Sequence, residues 1–309
     1  MCYNYNNYGL LIQREEDIMA RPVVALLYDF DKTLSTEDMQ NYSFIPNLGY
    51  TPQEFWGLTT EVGNKYHMDK ILAYMYVMVK ECRKKGIKLT KEYLNSLGKN
   101  IKFYPGVTTW FERINKFGAD NGVDVEHYII SSGTKEIIEA CDIAKEFKAL
   151  YGCEFLFDEE TKEAIWPKLA INYTNKTQFV FRISKGTLSI LDEKKLNSDT
   201  PDNERHVQYE NMIYIGDGMT DIPCMQLVKD KGGKSVAVYR PQEAHKVLPL
   251  VNDERLNYVC AADYTQNSSL EKFVQLSIEN MATYAKLKAK EATQLQYFQN
   301  KCETDIKGN

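Results

Sequence analysis

The chain has 309 residues, room for one large domain or two, and its 43% hydrophobic and 26% charged content is that of an ordinary soluble protein. A formal net charge of −5 gives no electrostatic support to a general role on nucleic acids or acidic membranes, and no run approaches the ~18 apolar residues of a membrane span. The seven cysteines are odd in number, scattered and without a C-x-x-C pair, which reads as the reduced thiols of a cytoplasmic protein.

Residues 1–18, MCYNYNNYGLLIQREEDI, lack the basic start and apolar core of a signal peptide. They are expected to be a loosely held tail, with Met19 a candidate start, because the folded pattern begins directly afterwards. Val23 to Leu27 is a run of five apolar residues, the pattern of a strand buried on both faces. It ends in Asp29-Phe30-Asp31-Lys32-Thr33. Alternate residues of a strand point the same way, so Asp29 and Asp31 address one point in space. Two acids aimed together repel, and need a cation or a shared proton.

From Thr36 to Lys102 the period turns helical. Thr51-Pro52 is a cap with proline at the first helical position, Asp69 to Lys85 is a helix stopped by Gly86, and a further helix starts at Thr90. Tyr104-Pro105-Gly106-Val107 then turns into a helix with Trp110, Phe111, Ile114 and Phe117 at core spacing. A second strand, Val125 to Ile130, runs into Ser131-Ser132-Gly133-Thr134 and a helix over 135–147. A strand, a small-residue turn and a helix are what phosphate-binding turns require.

Cys153 to Phe157 and Ala164 to Trp166 read as a hairpin. Asn175 with Gln178 has the spacing of a capping box, and KGTLSILDEKKL from Lys185 is expected to be helical. Met212 to Ile215 is a third buried strand, leading into Gly216-Asp217-Gly218-Met219-Thr220-Asp221 and a helix. Ser235 to Tyr239 and Tyr258 to Ala261 are further strands, and a long helix closes the chain. The expected fold is α/β: a doubly wound, Rossmann-like parallel sheet over 19–36 and 103–309, with a mostly helical cap domain inserted at 37–102. Its site should lie at the strand C-termini.

Three strands therefore end in polar turns that together offer carboxylates, hydroxyls and exposed N–H groups, an inventory for a hard dication and a phosphate. These residues resemble the haloacid dehalogenase superfamily of phosphohydrolases, phosphoserine phosphatases in particular. Asp29-x-Asp31-x-Thr33 looks like the first motif, Ser131 the second, Lys185 the third and Gly216-Asp217-Gly218-x-x-Asp221 the metal-binding motif. Lys176, in a polar turn, is the competitor for the third position.

The resemblance implies a Mg²⁺-dependent phosphatase acting on a small phosphorylated metabolite, with neither nucleic acid nor membrane as partner. Asp29 would be the nucleophile that forms an aspartyl-phosphate, and Asp31 the acid and base. Ser131 and Lys185 would hold the phosphoryl oxygens, with Thr33, Ser132, Gly133 and Asp38 on the substrate side. Mg²⁺ would sit on Asp29, the Asp31 carbonyl and Asp217, with Asp221 completing the shell or pairing with the lysine. Asp38 stands where phosphoserine phosphatases carry glutamate, which speaks against serine phosphate. Transfer to an acceptor other than water, or a binding module without turnover, are the alternatives; the paired Asp29 and Asp31 argue against the second. His67, His127, His206 and His245 are isolated and read as structural or solvated.

Overall fold

The computed structural model describes residues 21–218 and 220–307, with side chains as far as 302. The expected tail and the start at Met19 lie outside the described residues. Seven strands form one sheet in the order β4-β3-β2-β1-β5-β6-β7. They are β1 (Val23–Tyr28), β2 (Asp124–Thr134), β3 (Ala149–Phe157), β4 (Ala164–Leu169), β5 (Met212–Gly216), β6 (Lys234–Tyr239) and β7 (Tyr258–Ala261). All neighbours are parallel except the edge strand β4, which returns beside β3 as the expected hairpin. Val24 to Tyr28 are wholly buried, as a central strand covered on both faces must be.

The register decides where the chemistry sits. Tyr28 is level with Ile129 of β2 and with Ile215 of β5. Beyond that level come Asp29 and, one step further on, Ser131 and Asp217. Asp29 and Asp217 lie just past β1 and β5, whereas Ser131 is still within β2, which runs on past the expected end at Ile130 to Thr134. The chain winds from β1 outward through β2 to β4, then crosses back to β5 on the other side of β1. Asp29 and Asp217 therefore flank the switch point, where open α/β sheets place their ligands.

Residues 37–102 hold five helices: α1 (Met39–Tyr42), α2 (Phe44–Asn47), α3 (Pro52–Tyr66), α4 (Lys70–Lys84) and α5 (Lys91–Leu97). The start of α3 is a full capping box, Thr51 with Glu54, and Asp69 caps α4 through the amides of Ile71 and Leu72. The two ends of this stretch meet: Ser35 bridges Phe103, and the Thr36 amide donates to the Lys102 carbonyl at 2.8 Å. Beyond it, α6 (Val107–Asp120) buries Trp110, Phe111 and Ile114 on the sheet, and α7 is Lys135–Glu139. Then come α8 (Lys176–Lys185), α9 (Glu193–Asn197), α10 (Ile222–Asp230), α11 (Leu248–Asn252) and α12 (Ser269–Lys307).

Three local expectations are corrected. The helix after Thr134 stops at Glu139, where Ala140 and Cys141 turn back onto Ile137 and Ile138. Asn175 forms no capping box; its side chain instead closes the preceding turn, accepting from the Asn172 amide and donating to the Ala170 carbonyl. Lys185 ends a helix, and does not open one. Gly186, at φ +63°, is the left-handed stop that follows it, and helix resumes only at Glu193. The described cysteines are free thiols, and among the described residues no helix is long and apolar enough to cross a membrane.

Candidate active site

The end of β1 is held from below and behind. The Asp29 amide donates to the Ile215 carbonyl at 2.9 Å, which ties the first polar turn to β5. Lys176, the first residue of α8, is fully buried and its Nζ lies 2.8 Å from Asp29 Oδ1 and 2.8 Å from Asp221 Oδ1. The Tyr214 hydroxyl donates to the same Asp221 oxygen at 2.7 Å. Gly216 makes room for this carboxylate, since a Cβ there would lie 2.6 Å from Asp221 Oδ2.

Lysine is almost never wholly buried without partners. Burial alone would lower the Lys176 ammonium, but the charges of Asp221 and Asp29 outweigh it and hold it above the ordinary lysine range. The carboxylates show the opposite imbalance. Burial pushes Asp29 up to about 6 despite Lys176, with Asp221 adding to the rise. Asp217 is raised by burial and by the charges of Asp29 and Asp221. Asp29, Asp217 and Asp221 bring carboxylate oxygens within 4.8 Å of one another. Asp221 Oδ2 is buried and has no hydrogen-bond partner. An all-oxygen set with surplus negative charge and an orphaned oxygen fits a hard dication, not a soft one.

Asp31 stands apart from that cluster. Its Oδ1 accepts the Met39 amide at 2.8 Å, and a Cβ on Gly133 would lie 3.0 Å from its Oδ2. Burial, then the charges of Asp38 and Asp29, raise its carboxyl well above the ordinary range. The side chain of Asp31 is thus not among the clustered carboxylates; only its backbone is left to a metal role.

The end of β2, Ser131 to Thr134, closes the other side as strand and not as the expected turn. Ser131 is buried, and its Oγ accepts the Gly133 amide at 2.9 Å, so its own proton stays free for an oxygen. The Ser132 carbonyl takes the Tyr74 hydroxyl at 2.8 Å and its Oγ is unpartnered; the buried Thr33 hydroxyl is unpartnered too. Gly133 packs directly under Met39, whose methyl would lie 2.1 Å from any Cβ placed there. Helices α1 and α4 thereby lie over this strand end.

Lys185 is not in the site. At the far end of the ten-residue α8, roughly 14 Å along the axis from Lys176, it donates to the carbonyls of Leu196 and Ser198 at 2.7 and 2.6 Å. Asp38 does not point a free carboxylate at the site either, because Lys32 Nζ meets it at 2.6 Å. Two contributors escaped the sequence reading: Tyr214 and Met39. Lys176 carried a signal of its own, since it is in phase with Phe179, Val180 and Ile183 on the buried face of α8, where an unpaired lysine has no place.

Similarity to known proteins agrees with this geometry. An uncharacterized protein of Borreliella burgdorferi is 24% identical over 288 residues, covering 83% of this chain and 96% of the relative. Among solved structures, a probable phosphoserine phosphatase from Vibrio cholerae in unliganded form matches with a TM-score of 0.52 at 12% identity, over 92% of this chain and 76% of the other. A phospho-aspartyl intermediate analogue of phosphoserine phosphatase matches with a TM-score of 0.51 at 13% identity, over 83% and 99%. At such identities these two likenesses speak for the fold alone. The family description, haloacid dehalogenase-like hydrolase, matches residues 26–226, from inside β1 to the middle of α10. With the motif carboxylates at the ends of β1 and β5 and a buried lysine between them, the chain belongs to the haloacid dehalogenase-like hydrolases.

Proposed function

We propose that the protein is a Mg²⁺-dependent, cytoplasmic phosphohydrolase that cleaves a small phosphate monoester through an aspartyl-phosphate on Asp29. The observation that carries this reading is the Lys176 bridge between Asp29 and Asp221, 2.8 Å to each. An ammonium so placed orients the nucleophilic carboxylate and offsets its repulsion from an incoming phosphate.

In this mechanism a carboxylate oxygen of Asp29 attacks phosphorus while the bond to the leaving oxygen breaks. Asp31, held by the Met39 amide and kept proton-rich by burial, gives its proton to that oxygen. The same carboxylate then takes a proton from the water that hydrolyses the acyl phosphate. Ser131, through its free proton, and Lys176 hold phosphoryl oxygens. Asp29, the Asp31 carbonyl and Asp217 would hold Mg²⁺, with Asp221 behind them and tied to Lys176. When bound, the ion supplies positive charge between nucleophile and phosphoryl group. Residues 37–102 act as a cap domain that excludes water and selects the leaving group; Met39 and Tyr74 reach Ser132 and Gly133. The occupied Asp38 points away from serine phosphate.

A phosphate-release screen over phosphorylated metabolites and p-nitrophenyl phosphate, with Mg²⁺ and with Asp29→Asn as control, tests the reading. Turnover that needs Asp29 is expected. Phosphate release equal in wild type and Asp29→Asn would overturn it.

A further inference from the structure

Lys32 directly follows the proposed acid, and it adopts φ +58°, a left-handed conformation unusual for a side chain of its size. Such backbone persists where the surroundings fix it. The turn is closed by the amides of Thr33, Leu34 and Ser35 on the Phe30 carbonyl, and the Lys32 ammonium lies 2.6 Å from Asp38. The next residue, Met39, is the one whose amide holds Asp31. The ion pair therefore lies beside the carboxyl that must meet the leaving oxygen. Its neighbour Glu37 is claimed as well, by Arg240 at 2.7 Å. Both acidic residues on the way into the helical insertion are thus neutralised by cations from the sheet side. Lys32 and Arg240 also line one small cleft with Asp217 and Tyr104. An ammonium carries three N–H donors and a guanidinium five, more than the one carboxylate oxygen each of these two meets.

We propose that Lys32 is a specificity-determining residue: by holding Asp38 it denies a counter-charge to amine-bearing leaving groups and directs the enzyme to phosphate esters whose leaving group carries carboxylate or hydroxyl oxygens. This rests on the phosphatase reading above. An ammonium on the substrate meets the Lys32 charge before it meets Asp38, and like charges brought together are rejected. An oxygen-bearing group meets the remaining donors of Lys32 and Arg240 instead.

The test is kcat/KM of the full chain with Mg²⁺ for phosphoethanolamine and 3-aminopropyl phosphate, against phosphoglycolate and glycerol phosphate. p-Nitrophenyl phosphate, which has neither group, serves as the reference. Wild type should prefer the oxygen-bearing esters. Lys32→Ala should shift the ratio toward the amine esters by roughly tenfold or more, the scale of one charge contact. Lys32→Arg should keep the wild-type ratio. Asp38→Asn, which frees the ammonium and needs no loss of Lys32, should move the ratio further toward phosphoglycolate. A ratio unchanged within about twofold in both Lys32→Ala and Asp38→Asn, with p-nitrophenyl phosphate still turned over, overturns the inference alone. Wild type that hydrolyses none of the five esters overturns the phosphatase reading, and this one with it.

Discussion

Replacing Lys176 by alanine is the sharpest perturbation the site offers. It removes the ammonium that meets Asp29 and Asp221 at 2.8 Å each, from a position with no exposed surface. Breaking a buried ion pair from one side typically costs about 3–5 kcal/mol, because the remaining charge is stranded. Two carboxylates are stranded here. Asp29 already sits near 6, so the stability loss should fall at the lower end of that range around pH 6 and grow as pH rises. Turnover should fall roughly 10²–10³-fold, the scale of losing one preorganised charge at the reacting centre. Lys185→Ala is the internal control. It loses two hydrogen bonds to the carbonyls of Leu196 and Ser198, about 1–3 kcal/mol of stability, and should change turnover less than about threefold. Urea unfolding of both variants at pH 6 and 8, with kcat/KM on p-nitrophenyl phosphate at saturating Mg²⁺, separates the outcomes. A larger turnover loss in Lys185→Ala, or near-normal turnover in folded Lys176→Ala, would refute the assignment.

Chelation should abolish turnover, and Mg²⁺ but not Zn²⁺ should restore it fully, because the clustered donors are all carboxylate oxygens; full activity in excess chelator would remove the metal from the mechanism. Asp31→Asn should slow alkyl phosphates far more than p-nitrophenyl phosphate, whose leaving group needs little protonation, and equal loss on both would withdraw the acid role. His127, buried between the Tyr28 hydroxyl and Asn115, is held down to about 3 by burial. It stays neutral when folded while the unfolded chain binds a proton below ~6.5, so its contribution is complete above that pH and is lost as pH falls, by roughly 1.4 kcal/mol per unit down to about 3. The urea midpoint of His127→Gln should therefore fall less steeply than wild type between pH 6.5 and 4.5, and parallel slopes would sink the argument.

Most of the sheet was legible because its signals are local. Val23 to Leu27 and Met212 to Ile215 are short apolar runs bounded by polar turns, and each turn is adjacent in sequence to the strand that positions it. Asp29 and Asp217 could be read for that reason, since a strand delivers the residue that follows it; Ser131 lies inside the end of β2 and Asp221 in the segment after β5. The lysine could not be read that way. Its helix follows a hairpin and a polar turn, with no strand to announce it, and the pair Lys185-Gly186 imitates a helix start while being a helix end. What distinguishes the two lysines is phase. Lys176 shares the buried face of Phe179 and Ile183, and Lys185 does not. Asp38 misled for another reason: its spacing from the first motif fits a substrate contact, yet a cation one residue beyond Asp31 reaches it first.

The charge balance of the site explains why that lysine had to be where it is. Asp29, Asp217 and Asp221 crowd within 4.8 Å, with Asp31 nearby, and the charged carboxylates repel one another in a place water barely reaches. One ammonium from beneath holds two of them in fixed orientation, and Tyr214 adds a neutral donor to Asp221. Burial, and after it the charge of neighbouring carboxylates, keeps Asp29 near 6 and Asp217 raised. A second lysine in the same cluster would leave three carboxylates facing two ammonium groups and weaken the attraction for a dication. Lys32 lines one cleft with Asp217 and is paired with Asp38. The ion pair thus has two consequences from one contact: it leaves the carboxylate cluster short of positive charge, and it leaves the entrance short of negative charge. Asp38→Asn, by releasing Lys32 toward Asp31 and Asp217, should weaken Mg²⁺ activation by roughly tenfold, as one added positive charge nearby would. Titration of activity with Mg²⁺ measures it, and an unchanged activation constant would show that Lys32 stays out of the cluster without Asp38.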